Sequence, residues 1–198
     1  MKLASNFYLQ DNVVEISQQL LGKILFTKID KKICAGMITE TEAYSGVIDK
    51  ASHAYGGRKT ERTKVMYMEG GTAYVYLCYG IHHLFNVVTN VEGIPHAVLI
   101  RAIEPVEGIE LMLKRRKKKK VDTSLTSGPG KLSEALSIKY SHSGLSLSEN
   151  KIWIEDSGIK IGPTQIISAK RVGVDYAKED ALLPYRFFIK DNKWVSKT

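Results

Sequence analysis

The feature that most constrains the fold of this chain is a period-two alternation of apolar and polar residues, which recurs in short runs. The runs "KILFTKI" and "ICAGMITETEAY" flank a polar turn at residues 30–32, and this arrangement predicts an antiparallel hairpin. Three more strands are predicted at about 73–78, 84–89 and 96–103, again joined by short turns. Because short connections leave no room for crossover helices, the sheet is predicted to be mostly antiparallel.

Helical patterns flank these strands. Residues 11–21 are predicted to form a helix with Asp11 as its N-cap. A second helix is predicted to begin at Pro105 and a third near Pro129, where the fixed φ of proline suits a first turn. The tail alternates again in "IWIED", "RVGVD" and "YRFFIKDNKWV", which indicates further strands. Residues 1–198 are therefore predicted to form one α+β domain, in which a mostly antiparallel sheet carries flanking helices.

The overall charge indicates a class of partner. The chain has 29 Lys and Arg against 21 Asp and Glu, a net charge of +8 and a pI of about 9.3, which favours a polyanion such as nucleic acid. Its N-terminus is too polar for a signal peptide, and no run approaches the ~20 apolar residues of a membrane span, so we expect a cytoplasmic protein with no membrane partner. Cys34 and Cys78 stand alone in apolar runs, which favours small core residues over a zinc site.

Two acidic residues near the end of the second predicted strand call for an explanation. In "ITETEAYSG", Glu40 and Glu42 are two residues apart and would share one face of the strand, just before Tyr44. One reading is an ion pair with a basic residue such as Arg101 in a neighbouring strand. The other is a carboxylate held ready for chemistry. An ion pair explains one of the two glutamates more easily than both.

Aromatic and basic residues are concentrated in two other places. Six of the ten tyrosines lie between residues 44 and 79, and Tyr79 falls on a predicted hairpin turn, where a side chain is poorly placed for a core. "KRRKKKK" at 114–120 is either a solvated loop or a contact to phosphates. "SGPGK" leads into a helix and can hold a phosphate on backbone N–H groups beside Lys131, although such turns are common.

Several longer segments are informative when they are read in order: "ITETEAYSGVIDKASHAYGGRKTERTKVMY", "GTAYVYLCYGIHHLFNVV", "LIRAIEPVEG", "SGPGKLSEAL", "RVGVD" and "PYRFFIKDNKWVS". Together they resemble the alkyladenine DNA glycosylase family, the mammalian-type 3-methyladenine DNA glycosylases, from about residue 10 to the C-terminus. The resemblance implies a curved sheet with a protruding β-hairpin, similar to the C-terminal domain of methionyl-tRNA formyltransferase.

The function implied by the resemblance is base-excision repair without a metal or other cofactor. A monomeric enzyme of this kind flips an alkylated or deaminated purine (3-methyladenine, 7-methylguanine, hypoxanthine or ethenoadenine) out of duplex DNA. It then hydrolyses the N-glycosidic bond and leaves an abasic site, so its partner is duplex DNA that contains damaged purines.

The resemblance also assigns roles to residues. Glu42 falls on the general base, with Arg101 holding the base and the water, while Glu40 falls on a neighbour without that role. Tyr79 falls on the hairpin residue that fills the space of the flipped nucleotide. The residues that fall on the base pocket are Tyr44, His53, Tyr76 and Asn86. Our candidates for contacts to the DNA backbone are Arg58, Lys131, Arg115 and Arg116. Glu61 stands where family members commonly have proline, which puts the path of that loop in doubt.

Two alternatives stay open from the sequence. A non-catalytic module that binds tRNA or DNA can share the fold, because fold alone does not fix function. A bifunctional lyase would instead use a lysine such as Lys131 as a Schiff-base nucleophile.

Overall fold

In the computed structural model, which describes residues 1–197, eight strands form one antiparallel sheet against which the α-helices pack. The strands are β1 (Ile24–Ile29), β2 (Lys32–Tyr44), β3 (Ala73–Cys78), β4 (His82–Thr89), β5 (His96–Glu107), β6 (Ile152–Glu155), β7 (Ile166–Ala169) and β8 (Arg186–Ile189). The α-helices are α1 (Ser5–Tyr8), α2 (Val13–Gln19), α3 (Ile109–Arg115) and α4 (Pro129–Leu136). The predicted fold class, α+β with a mostly antiparallel curved sheet, is confirmed.

Strand β2 lies at the centre of this sheet, whose order is β3-β4-β5-β2-β1-β6. One edge of β2 pairs with β5 along most of its length. The other edge pairs first with β1 and then, near its end, with β8, where Glu40 lies opposite Phe188 and Glu42 opposite Arg186. β2 therefore carries both glutamates into a place where three strands meet.

The two predicted hairpin turns are confirmed. β1 and β2 are joined at Asp30 and Lys31, whose φ angles of 52° and 63° are left-handed, as the turns that match strand twist require. β3 and β4 are joined at Tyr79 and Gly80, with φ angles of 50° and 74°. This second hairpin protrudes, because the Tyr79 side chain at its tip is 91% exposed.

The core lies between the sheet and the helices. α4 contributes Leu132 and Leu136, which are fully buried, and α2 contributes Ile16. Burying one such side chain stabilises the fold by about 1.5–3 kcal/mol. α4 packs on β4 and β5, so its first turn, which begins at Pro129 as predicted, is fixed next to the β3–β4 hairpin. Among residues 1–197, none of the helices combines the length and apolar character needed to cross a bilayer.

Some predicted elements are wrong in detail. The first long helix spans Val13–Gln19 and is capped by Asn12, not Asp11, because the Asn12 carboxamide oxygen accepts from the N–H groups of Val14 and Glu15. No helix begins at Pro105, since pairing with β2 extends β5 to Glu107 and outweighs the local preference.

The tail and one cysteine also differ from the prediction. "RVGVD" is not a strand, because residues 171–174 run irregularly and the Val172 N–H donates to the Glu42 side chain instead of to a neighbouring strand. The short strand β7 was not predicted. Cys34 is buried as expected, but Cys78 is half-buried, because it lies near the tip of the protruding hairpin.

Candidate active site

A cavity of about 430 Å³ opens beside the end of β2, between the β3–β4 hairpin, the start of α4 and residues 172–176. Its volume is in the range of small-molecule sites, and its lining includes five tyrosines. The aromatic and polar residues that line it include Tyr44, His53, Tyr74, Tyr76, Asn86 and Arg101.

Glu42 lies directly behind this wall. Its side chain is fully buried and is not itself part of the cavity lining. The Tyr44 hydroxyl donates to Glu42 Oε2 at 2.8 Å, the Val172 backbone N–H donates to Oε1 at 2.8 Å, and Arg101 Nη1 lies 3.3 Å from Oε1. All three partners line the cavity, so Glu42 is separated from the cavity space by the groups that hold it.

Glu40 occupies a different environment. Its Oε1 accepts from Arg101 Nε at 3.0 Å, from Arg186 Nε at 2.6 Å and from the Ser196 hydroxyl at 2.9 Å. Its Oε2 accepts from the Ser196 backbone N–H at 2.7 Å. Two guanidinium groups and four hydrogen bonds, three on Oε1 and one on Oε2, therefore hold this buried carboxylate.

Arg101 connects the two glutamates, as the ion-pair reading expected for one of them. Register shifts between β2 and β5 around Glu40 leave Arg101 outside the residue pairing, and such bulges re-aim side chains. Burial lowers the pKa of Arg101, but the nearby carboxylates of Glu42 and Glu40 raise it more, and the net pKa is above its ordinary value. Arg101 therefore stays charged between them.

Tyr44 is clamped from behind by Arg171. The Arg171 guanidinium carbon lies 4.9 Å from the centre of the Tyr44 ring, and Asp49 holds that guanidinium with two hydrogen bonds, one of 2.9 Å. Burial, followed by the charge of Glu42, raises the pKa of Tyr44 well above its ordinary value. Its hydroxyl therefore stays protonated and donates a hydrogen bond to Glu42. The same arginine donates to the Ala43 carbonyl, which ties the chain segment of Val172 to the end of β2.

His53 packs with Tyr74 and Tyr76 in a second aromatic part of the cavity lining. Its ring lies edge-on to Tyr76, with centroids 4.6 Å apart, and its Nδ1 is 2.9 Å from the Tyr74 hydroxyl. Burial, then the charges of Arg62 and Arg58, lower the pKa of His53 from 6.5 to about 4. Its imidazole is therefore neutral near pH 7.

The remaining predicted site residues fall into two groups. Asn86, Tyr79 and Lys131 all line the same cavity, and the Asn86 amide is fixed because it donates to the Tyr74 and Leu84 carbonyls. Cys78 lines the cavity as well. The structure thus brings together all of the predicted base-pocket residues, Tyr79 and one of the four backbone candidates.

The other three backbone candidates lie apart from the main cavity. Arg58 is exposed on the loop that follows His53. Arg115 donates to the Ala135 carbonyl at 2.8 Å, and Arg116 pairs with Glu134, so both hold α3 against α4. The first residues of the basic run 114–120 therefore have a structural role. In the loop around residue 61, whose path the resemblance put in doubt, Glu61 pairs with Lys64.

Several residues at the site were not found from the sequence. Arg62, Arg171, Val172 and Ser196 act through contacts with residues 9 to 156 positions away. All four lie in segments that carry the resemblance, but the resemblance assigns no role to any of them. Among residues 1–197, no three His, Cys, Asp or Glu side chains gather in a way that would hold a metal ion.

Comparisons with known proteins agree with this geometry. The sequence profile described as "Methylpurine-DNA glycosylase (MPG)" matches residues 6–193. A Clostridium tetani protein is 47% identical over 205 residues, which cover 100% of both chains. A Chlamydia pneumoniae protein is 48% identical over 188 residues, or 94% of each chain. Both carry the provisional name 3-methyladenine DNA glycosylase. The chain belongs to the methylpurine-DNA glycosylase family.

Proposed function

We propose that this protein excises damaged purines from duplex DNA and that Glu42 activates the attacking water. The observation that carries the proposal is the position of the Glu42 carboxylate. It is held by Tyr44, Arg101 and Val172, each of which also lines an aromatic cavity large enough for a purine. A base that enters this cavity touches residues that contact the carboxylate directly.

The hydrogen-bond count of Glu42 supports a role as base. A carboxylate offers about four lone-pair sites, and the three contacts at Glu42 leave one of them open, on Oε2. We place the attacking water there. Since the carboxylate is covered in the free protein, binding has to shift the Tyr44 hydroxyl enough to admit that water.

The walls of the cavity suit a flipped purine. Tyr44, His53 and Tyr76 all line the cavity, so a planar base that enters it can stack on their rings. The fixed amide of Asn86 adds a rigid polar wall that would crowd the 2-amino group of normal guanine. Flipping a base costs a few kcal/mol and costs least for a poorly paired one, which favours damaged bases.

The chemical step is a hydrolysis. Glu42 takes a proton from the water, whose oxygen bonds to C1′ of the sugar while the C1′–N9 bond breaks and its electron pair leaves with the purine. The negative carboxylate also stabilises the positive charge that develops on the sugar, as the carboxylates of glycosidases do. An alkylated purine already carries positive charge, so it leaves without an acid.

The test is release of abasic sites from duplexes that each hold one modified purine. Glu42→Gln should lower the single-turnover rate by about 10²–10⁴-fold and keep binding to lesion DNA, because it removes the base and preserves the shape. Glu92→Gln, at an exposed glutamate on another turn, is the matched control. Excision by Glu42→Gln at the wild-type rate would contradict the role of Glu42. Wild-type binding without any base release would favour the non-catalytic module.

The position of Lys131 on the cavity wall makes the lyase alternative testable as well. Our proposal uses water, so no Schiff base forms and borohydride should trap no covalent adduct between the protein and lesion DNA. A trapped adduct that disappears in Lys131→Arg would instead indicate the lyase.

A further inference from the structure

We infer that Arg62 sets the charge preference of the cavity: it disfavours cationic bases relative to neutral ones. This inference rests on the proposed function, because it concerns the bases that the cavity accepts. Arg62 lies on the loop between His53 and β3, and neither the sequence analysis nor the resemblance assigned it a role.

The contacts of Arg62 place its charge on one aromatic wall. Its guanidinium carbon lies 4.8 Å from the centre of the Tyr76 ring, within cation–π range. Its Nη2 donates to His53 Nε2 at 2.9 Å. Because a guanidinium has only donors, we assign the proton of the neutral imidazole to Nδ1, which then donates to the Tyr74 hydroxyl. Arg62 is thus tied to the two side chains that form this wall.

A cation at Tyr76 changes what the ring attracts. Aromatic faces attract cations through their negative potential, and an alkylated purine carries such a charge. A guanidinium on either face of the ring opposes a second cation, because like charges repel and both draw on the same ring. A neutral damaged purine, such as hypoxanthine, still stacks on the ring and does not suffer this repulsion.

Tyr44, in another part of the cavity lining, also has an arginine beside it, but the charge of that arginine is balanced. Arg171 is buried against Tyr44 and, like the exposed side chain of Arg62, is not itself part of the cavity lining. Asp49 forms an ion pair with it. Within residues 1–197, no carboxylate lies within 4 Å of the Arg62 side chain. Of the two arginines, Arg62 is therefore the one without a counter-charge. Removal of Arg62 should therefore change charge selectivity.

The experiment compares two bases in one duplex sequence at pH 6.5, where the imidazole of His53 is neutral and 7-methylguanine still keeps its N1 proton. Single-turnover rates are measured for 7-methylguanine, which is cationic, and for hypoxanthine, which is neutral. Arg62→Met should raise the ratio of the cationic rate to the neutral rate about 2–5-fold, the size of a cation–π contact at a partly exposed site. Arg62→Lys, which keeps the charge, should return the ratio toward that of the wild type.

Lys59→Met is the matched control. Lys59 is on the same loop and lies over Tyr67, which does not line the cavity, so this variant removes one positive charge without touching the site. It should change both rates by a common factor. A second readout is the titration of His53 by NMR: its pKa should rise from about 4 in Arg62→Met and stay near 4 in Lys59→Met.

The outcomes separate the two proposals. If the wild type releases neither base, the proposed function is wrong. If the wild type releases both bases and Arg62→Met leaves their ratio unchanged, the function stands and the inference about Arg62 is wrong.

Discussion

The carboxylate sites of Glu40 and Glu42 differ although the residues lie two positions apart on β2 and share Arg101. Glu40 accepts four hydrogen bonds, three on Oε1 and one on Oε2, and two of its partners, Arg186 and Ser196, lie outside the cavity lining. Glu42 has three contacts, all with groups that line the cavity, and keeps one lone-pair site open. Sequence spacing makes the two residues equivalent, and only their surroundings place one of them next to the cavity, where the proposed function uses it.

The largest effect that we predict on stability is at Glu40. Glu40→Gln should lower the free energy of unfolding by about 3–5 kcal/mol, because it leaves Arg186 and part of Arg101 buried without a counter-charge. Glu42→Gln should cost about 1–3 kcal/mol, since Arg101 keeps its ion pair with Glu40 and no other arginine loses its counter-charge. Urea unfolding at pH 7 measures both. Equal losses of unfolding free energy, or a larger loss at position 42, would show that Glu40 is not the more important of the two carboxylates for stability.

The next effect concerns a buried group that is neutral. The pKa of His53 is lowered from 6.5 to about 4, so between these values the unfolded chain binds more protons than the folded protein. The contribution of a neutral His53 is therefore fully present above pH 6.5 and is lost as the pH falls toward 4, by up to about 3 kcal/mol. Glu40, by contrast, is a buried group that pairs with two arginines.

The measurement is urea unfolding at pH 7 and at pH 4.5 for the wild type and His53→Asn. The wild type should lose more stability between the two pH values than the variant does. Other histidines contribute the same slope to both proteins, so the difference isolates His53. Parallel pH dependences would show that His53 titrates normally.

A double-mutant cycle sharpens the comparison further. Glu40→Gln and Glu42→Gln each leave Arg101 with one carboxylate, whereas the double variant leaves it with none. Each single variant also removes the repulsion between the two negative charges. The sum of the single effects counts this gain twice, whereas the double variant gains it only once. The double variant should therefore lose more stability than the sum of the single losses, by about 0.5–3 kcal/mol. Additivity within experimental error would show that Arg101 does not couple the two sites.

The sequence predicted the parts of the fold that local chemistry decides. The bounds of β3 were predicted correctly, and so was the turn at Tyr79 and Gly80. The hairpin at Asp30 and Lys31 was also predicted, since short polar turns between alternating runs have few alternatives. Pro105 misled the prediction, because its preference for a first helical turn lost to pairing with β2.

The candidate site was predictable only where its residues lie on regular elements. The spacing of Glu40 and Glu42 and the basic residue in a neighbouring strand pointed to Arg101. The clamp of Arg171 on Tyr44 and the N–H of Val172 on Glu42 were not predicted, because they join positions almost 130 residues apart through an irregular segment. No local pattern records such contacts.

The smallest effect on stability is expected at the hairpin tip, which is the opposite case to Glu40. Tyr79 is 91% exposed, so Tyr79→Ala should change the free energy of unfolding by less than about 0.5 kcal/mol.

If the ring of Tyr79 fills the space of a flipped nucleotide, the same variant should weaken binding to a duplex with an abasic site by about 5–100-fold, which is the loss of one aromatic–base stack. Val91→Ala, at an exposed apolar residue on the β4–β5 turn, is the control and should leave binding unchanged. Equal binding by Tyr79→Ala and the wild type would separate the hairpin from the proposed function, whereas a loss of stability would show that the tip supports the fold. Glu40 is expected to matter for stability and Tyr79 for binding, so the pair of variants tests whether the division seen within β2 extends to the molecule as a whole.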